Sequence, residues 1–212
     1  VSSVQTKICG LSTPETLDAA VAGGASHVGF VFFPPSPRHL SLDKAAGLAA
    51  RTPPRVGSVG VFVDPDDALL EAAIAAGRLQ ALQLHKVATG RAAAIRARFR
   101  LPLWVAVPIR TRADLNQAQS WRGLAERVIY DAKTPEGGLP GGMGLRFDWK
   151  LLDGFAHRAP WALSGGLGPD NVAEAVRTTA APMVDVSSGV ESAPGVKDVD
   201  KIARFLQAVA AL

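Results

Sequence analysis

The chain has 212 residues, is 48% hydrophobic and 20% charged, and carries a formal net charge of +4. These proportions lie close to the globular average and exclude a wholly disordered chain. The mean hydropathy is only +0.15, and no segment approaches the roughly 18 apolar residues of a transmembrane helix.

Short β-branched runs alternate with alanine-rich helical stretches. Gln5–Cys9 reads as a strand. Ser12-Thr13-Pro14-Glu15 then opens a helix to about Ala22, a capping hydroxyl preceding a first-turn proline. Val28–Phe33 is followed by a helix near Leu42–Arg51, and Val56–Val63 by one over Pro65–Ala76, with Gly77 placed to cap its end. Ala81–Leu84 precedes a helix near Thr89–Arg98, and Leu103–Val107 one near Arg112–Trp121. Val128–Tyr130 leads into a long irregular stretch, Asp131–Arg146, of a length that is usually functional, and then a short helix over Trp149–Phe155. Trp161–Leu163 precedes a helix near Asp170–Thr178, started by Gly168-Pro169-Asp170-Asn171. Met183–Val186 and a helix over Asp198–Ala210 close the chain.

That pattern predicts eight strand–helix units whose nearly all-apolar strands suit a parallel sheet buried on both faces. Eight units predict a single-domain (β/α)8 TIM barrel over residues 1–212, with its active site at the C-terminal strand ends. A doubly wound sheet is the competing architecture, but the first turn, Cys9-Gly10-Leu11, lacks the Gly-x-Gly-x-x-Gly fingerprint.

The strand ends carry the candidate chemistry. Alternation along strand one puts Lys7 and Cys9 on the barrel-facing side and Ile8 against the helices. After strand two, Pro34-Pro35-Ser36-Pro37 stiffens the chain ahead of Arg38, whose fork suits a planar carboxylate. Strand four ends in His85-Lys86 and strand six in Asp131. Strands seven and eight end in Ser164-Gly165-Gly166 and Ser187-Ser188-Gly189. Glycines admit close backbone approach, and these two loops are where barrels often seat phosphate. Lys7 and Asp185 lie inside strands that become neighbours on closure, so their charges are expected to meet inside the barrel.

Other classes find no support. The single cysteine, Cys9, excludes an internal disulfide and a zinc site of three or four thiolates, and the four histidines lack metal-ligand spacing. Hydrolase-elbow, Walker A and His-Glu-x-x-His motifs are missing. Despite a pI near 9.6, the Lys and Arg residues are scattered, so nucleic-acid binding is not expected. The N-terminus, Val1-Ser2-Ser3-Val4, lacks signal-peptide character, and a cytoplasmic protein without a membrane partner is expected.

The ordered set Lys7-Ile8-Cys9-Gly10, Val28-Gly29-Phe30-Val31-Phe32, Ser36-Pro37-Arg38, Leu82-Gln83-Leu84-His85, Asp131-Ala132-Lys133-Thr134-Pro135, Gly141-Gly142-Met143-Gly144, Leu163-Ser164-Gly165-Gly166-Leu167 and Val184-Asp185-Val186-Ser187-Ser188-Gly189-Val190-Glu191 resembles the phosphoribosylanthranilate isomerase family of tryptophan biosynthesis. The resemblance spans roughly Lys7 to Phe205. It implies a (β/α)8 barrel and an Amadori rearrangement of N-(5′-phosphoribosyl)anthranilate, with Cys9 as general base and Asp131 as general acid. Arg38, His85, Asp185, Gly165, Gly166, Ser188 and Gly189 are the implied substrate-binding residues. The implied partner is this small phosphoribosyl substrate, with no cofactor and no metal, in a monomer or homodimer. Lys86 and Met143 stand where the family commonly has glycine and threonine, and Leu139-Pro140 is expected to lengthen the sixth loop. Indoleglycerol phosphate synthase would want catalytic lysines, and the histidine-pathway isomerase an aspartate where Cys9 stands. A non-catalytic sugar-phosphate sensor would not need Cys9, Asp131 and Arg38 together. The mechanism needs a thiolate beside a carboxylic acid, so Lys7 is expected to lower the Cys9 pKa and burial to raise that of Asp131.

Overall fold

Side chains alternate across each strand, so a closed parallel sheet sorts its residues into an outer face against helices and an inner face lining the barrel. In the computed structural model, which describes residues 4–135 and 141–212, the strands are β1 (Gln5–Cys9), β2 (His27–Val31), β3 (Gly57–Val63), β4 (Ala81–His85), β5 (Leu103–Ile109), β6 (Arg127–Ala132), β7 (Trp161–Leu163) and β8 (Met183–Val186). They close as a barrel in chain order, with β8 returning to β1. The predicted Leu139-Pro140 extension lies outside the described residues.

The α-helices are α1 (Pro14–Ala22), α2 (Leu42–Arg51), α3 (Asp67–Gly77), α4 (Thr89–Phe99), α5 (Val172–Thr179) and α6 (Val199–Ala210). Thr13 caps α1 through its hydroxyl ahead of Pro14, as the sequence signals. The expected start of α3 at Pro65 moves to Asp67, because the Asp66 carboxylate accepts from the Leu69 N–H at 2.8 Å and fixes the cap there. Gly77 is the last residue of α3, not its cap; Arg78 takes the left-handed turn, at φ 46°. A Cβ on Gly77 would sit 2.7 Å from Leu79, so this glycine serves packing.

Two expected α-helices are tighter. Arg112–Trp121 is 3-10, and its buried residues are Leu115 and Ala118. Contacts three residues apart suit a helix of three residues per turn. Trp149–Leu152 is a single 3-10 turn, stopped short of Phe155 by Gly154 at φ 62°. A third 3-10 turn, Ser188–Val190, leads into a small antiparallel hairpin, β9 (Glu191–Ala193) and β10 (Val196–Lys197). Among the described residues no helix is long and apolar enough to cross a membrane.

Ile8, Val28, Phe30, Leu82 and Leu84 face outward into the main core. Inside the barrel, Val59, Ala81, Trp104, Ile129, Ala162 and Met183 form an apolar floor. Lys7 has no solvent exposure. Its Nζ donates to Asp185 Oδ1 at 3.0 Å and to Gln83 Oε1 at 2.8 Å, and the β1–β8 register sets Lys7 directly beside Asp185. The two interior charges therefore meet as the alternation predicts. Lys7→Met leaves the Asp185 carboxylate buried and unpaired, which costs ~3–5 kcal/mol. Urea unfolding should show that loss, and adding Asp185→Asn should recover much of it. An unchanged midpoint for Lys7→Met would show that the pair is not needed for stability.

Candidate active site

The polar layer continues upward from Lys7. Gln83 accepts from Lys7 through its amide oxygen, so its NH2 faces His85 Nε2, 3.0 Å away. This network makes Nε2 an acceptor and puts the His85 proton on Nδ1. Burial, with the Lys7 and Lys86 charges, lowers the His85 pKa to about 4, so the ring is neutral near pH 7. Lys86 follows with φ 54°, a left-handed backbone that glycine adopts more readily. Beside β1, a Cβ on Gly29 would lie 2.9 Å from Cys9 Sγ and 3.1 Å from Lys7 Cε. The missing side chain of Gly29 is the space these two occupy.

Cys9, Asp131, Arg38, His85 and Asp185 line one cavity of about 60 Å³. A smaller one, lined by Gly165, Gly166 and Ser188, and a larger one of about 510 Å³ between the ends of β4 and β6 both adjoin it through Asp131 and Gly141. Burial raises the Asp131 carboxyl to about 7, the Asp185 charge adding to the rise against the pull of the Ala132 N–H and Lys7. The expectation for Cys9 is corrected. Burial pushes its thiol up and Asp185 adds to this, while the Lys7 and Lys197 charges offset the rise only in part. A side chain 7% exposed has little water to solvate a thiolate, and the cations beside it are themselves committed to carboxylates. Burial also opposes the Lys7 charge, but Asp185 and Cys9 outweigh it and hold the ammonium above its ordinary pKa.

Arg38 is placed at the mouth but not as a free fork. Its Nε donates to Glu191 Oε1 at 2.7 Å and its Nη2 to Glu191 Oε2 at 2.8 Å. Nη2 also donates to the Gly142 carbonyl at 2.9 Å, tying the loop after β2 to that after β6. Glu191 in turn meets Lys197 at 2.5 Å.

The loops after β7 and β8 pack on each other. Gly165 has φ 88°, and a Cβ there would lie 2.7 Å from the Ala132 nitrogen. Gly189 does not line the cleft: a Cβ on it would run into the Leu167 carbonyl, so it lets the two loops approach. Asn171 braces the first loop, accepting from Gly168 N–H at 2.8 Å and donating to Gly166 C=O at 2.9 Å. The 3-10 turn starting at Ser188 has first N–H groups with no carbonyl one turn back. Met143 is half exposed and lines the cavity beside Gly165 and Gly166. The sequence assigns no site role to Gln83, Glu191, Lys197 or Asn171, although the first two stand within the stretches that carry the resemblance and Asn171 within a helix-start signal. Alternation from His85 points to Gln83, whereas nothing local marks the bracing contacts of the other three.

Barrel and rim together define a (β/α)8-barrel enzyme with its polar groups gathered at the C-terminal strand ends. The family model for N-(5′-phosphoribosyl)anthranilate (PRA) isomerase matches residues 6–208. N-(5′-phosphoribosyl)anthranilate isomerase of Zymomonas mobilis subsp. pomaceae is 57% identical over 209 residues, covering 98% of each chain. Phosphoribosyl anthranilate isomerase of Thermotoga maritima superposes with a TM-score of 0.87 at 36% identity, over 99% of this chain and 100% of that one. A phosphoribosyl anthranilate isomerase in complex with reduced 1-(o-carboxyphenylamino)-1-deoxyribulose 5-phosphate gives 0.85 at 33%, with the same coverage. The chain belongs to the N-(5′-phosphoribosyl)anthranilate isomerase family.

A carboxyl whose pKa is about 7 when folded and about 3.9 when unfolded contributes stability below the unfolded value that is lost as pH rises through the folded one. Asp131→Asn should therefore be more stable than the parent at pH 8, by roughly 2–4 kcal/mol, with the gap closing towards pH 4. Denaturant titrations at the two pH values check this. A gap that does not change with pH would show that Asp131 is not held protonated.

Proposed function

We propose that this protein catalyses the Amadori rearrangement of N-(5′-phosphoribosyl)anthranilate to 1-(2-carboxyphenylamino)-1-deoxyribulose 5-phosphate, within tryptophan biosynthesis. The observation that carries the reading is Cys9 and Asp131 lining one cavity with Arg38, in a chain of this family. Val31, Phe33, Val61 and Val63 supply an apolar wall there, suited to an aromatic ring. Arg38 holds the anthranilate carboxylate. Gly165, Gly166 and the turn at Ser188 hold the phosphate through backbone N–H groups, with Gly189 setting the spacing of the two loops. His85, with its proton on Nδ1, serves as a neutral donor, and Asp185 anchors the Lys7 ammonium beneath the substrate.

Asp131 in its acid form protonates the ribose ring oxygen. The C1′–O bond breaks as the nitrogen lone pair forms the C1′=N bond of a Schiff base. Cys9 thiolate removes the C2′ proton, and the electron pair moves through C1′ to nitrogen, leaving an enolamine. The C2′ hydroxyl then loses its proton and C1′ gains one, which gives the amino ketose. Product is an isomer of substrate, so the sequence balances without an external oxidant or reductant. The substrate nitrogen is the electron sink.

The required thiolate–acid pair has the same proton count as the more abundant thiol–carboxylate pair. Activity should follow the singly protonated site. We expect kcat/KM to rise through pH about 7, as Asp131 releases its proton, and to fall only above the ordinary thiol range. Iodoacetamide alkylation of the lone thiol should likewise have a midpoint above the ordinary value of about 8.5, with product analogue protecting. Cys9→Ala or Asp131→Asn should remove turnover, followed as loss of anthranilate fluorescence. Near-normal turnover in either variant would overturn the acid–base assignment.

A further inference from the structure

The surroundings of Arg38 say more about recognition than the arginine alone. A guanidinium has five N–H donors. Glu191 takes Nε–H and one Nη2–H, and the Gly142 carbonyl takes the other Nη2–H. Among the described residues, the Nη1 pair is what remains uncommitted. Nη1 lies close over Gly142, where a Cβ would come within 2.5 Å of it. A side chain at Gly142 would thus crowd the nitrogen that has donors to spare.

Glu191 would be expected to quench Arg38, since a buried carboxylate on a guanidinium leaves no net charge to attract a second anion. Lys197 prevents this. It stands opposite Glu191 in the β9–β10 register, with its side chain 1% exposed. Its Nζ donates to Glu191 Oε1 at 2.5 Å, Ser187 O at 3.1 Å and Ser187 Oγ at 3.2 Å. Two cations share one carboxylate, so the cluster retains one positive charge. All three Lys197 donors are occupied, so that charge is offered to a ligand through Arg38. Glu191 is fixed from further sides, since the Gly195 N–H donates to Oε2 at 3.2 Å and Lys201 Nζ to the Glu191 carbonyl at 2.6 Å. The hairpin is thus a brace whose buried end grips one edge of the guanidinium.

We propose that Glu191, charge-balanced by Lys197, is a positioning residue that locks Arg38 with its Nη1 donors towards the substrate cavity and thereby sets the preference for a substrate bearing an ortho-carboxylate on its aromatic amine. The inference rests on the assignment of Arg38 to the anthranilate carboxylate. Glu191 touches no substrate in this account and acts only through Arg38.

The test uses two stable ligands, 1-(2-carboxyphenylamino)-1-deoxyribitol 5-phosphate and its counterpart lacking the carboxylate, titrated calorimetrically into the parent, Arg38→Ala, Glu191→Gln and the double variant. Glu191→Gln keeps the side-chain volume but turns an NH2 towards Arg38 or Lys197. It should weaken the carboxylate ligand roughly tenfold or more, the scale of a charge-assisted hydrogen bond, and change the other ligand by less than about twofold. KM should rise with kcat nearly unchanged. The double variant should bind no worse than Arg38→Ala alone, because the two residues act as one unit. Equal losses for both ligands, additive losses in the double variant, or parental affinity in Glu191→Gln would each overturn the positioning role. Parental discrimination between the ligands in Arg38→Ala would instead sink the assignment beneath it. Should Glu191→Gln fail to fold, Glu191→Asp applies the same ligand comparison, because a shorter carboxylate keeps the charge and loses the two-point grip.

Discussion

An ammonium group with no access to water, halfway up the barrel, is the constraint on which the rest depends. Lys7 cannot reach solvent, so its charge is tolerable only while Asp185 and Gln83 hold it. That requirement joins β1 to β8 and β4 across the interior, in the one register that sets Lys7 beside Asp185. Below the layer lies an apolar floor built from Val59, Ala81, Trp104, Ile129, Ala162 and Met183. Above it stand Cys9, His85 and Asp131, each feeling the Lys7 charge. The ion pair is thus both a closure of the barrel and the electrostatic base of the site.

Burial outweighs that field at Asp131 and Cys9. Asp131 is raised to about 7 and Cys9 is raised despite a neighbouring cation. For the proposed chemistry such a site rests mostly with its protons on the wrong partner, and the cost is one of population. Under the proposed mechanism, what it gains is an enclosed cavity in which a carboxyl with a pKa of about 7 would serve as an acid near neutral pH and a small population of thiolate would serve as the base. If Asp131 is the acid proposed, stability and activity pull apart here, since the enclosure that would suit it to that role works against its charge in the folded chain.

The rim is held by partnerships between distant segments. Arg38, on the loop after β2, is gripped by Glu191 on the hairpin after β8 and touches Gly142 after β6. Asn171 shapes the loop after β7, against which Gly189 packs. These contacts fix where Arg38 and the glycine loops lie relative to Cys9 and Asp131, and so, under the proposed function, where a ligand's carboxylate and phosphate would lie. On that reading they are the means by which a scaffold common to many chemistries would be fitted to one family of substrate.

The eight apolar runs and intervening helical stretches were legible in the chain, because a strand buried on both faces and a capped helix each write a local period. Alternation within Gln5–Cys9 also placed Lys7 and Cys9 inward, and the Ser/Gly pairs after β7 and β8 stood out by composition. Several features had no local signature. Leu115 and Ala118 select a 3-10 turn only through the surface they meet, and Gly77 proved a packing glycine only once Leu79 was beside it. The pairing of Arg38 with Glu191 joins residues 153 positions apart. The rise in the Cys9 pKa required knowing that Lys7 was already shared with Asp185 and Gln83 and that water was excluded. Periodicity and caps are written residue by residue. Burial, charge sharing and ligand-facing donors depend on which distant side chains arrive at the same place, and only the closed barrel decides that.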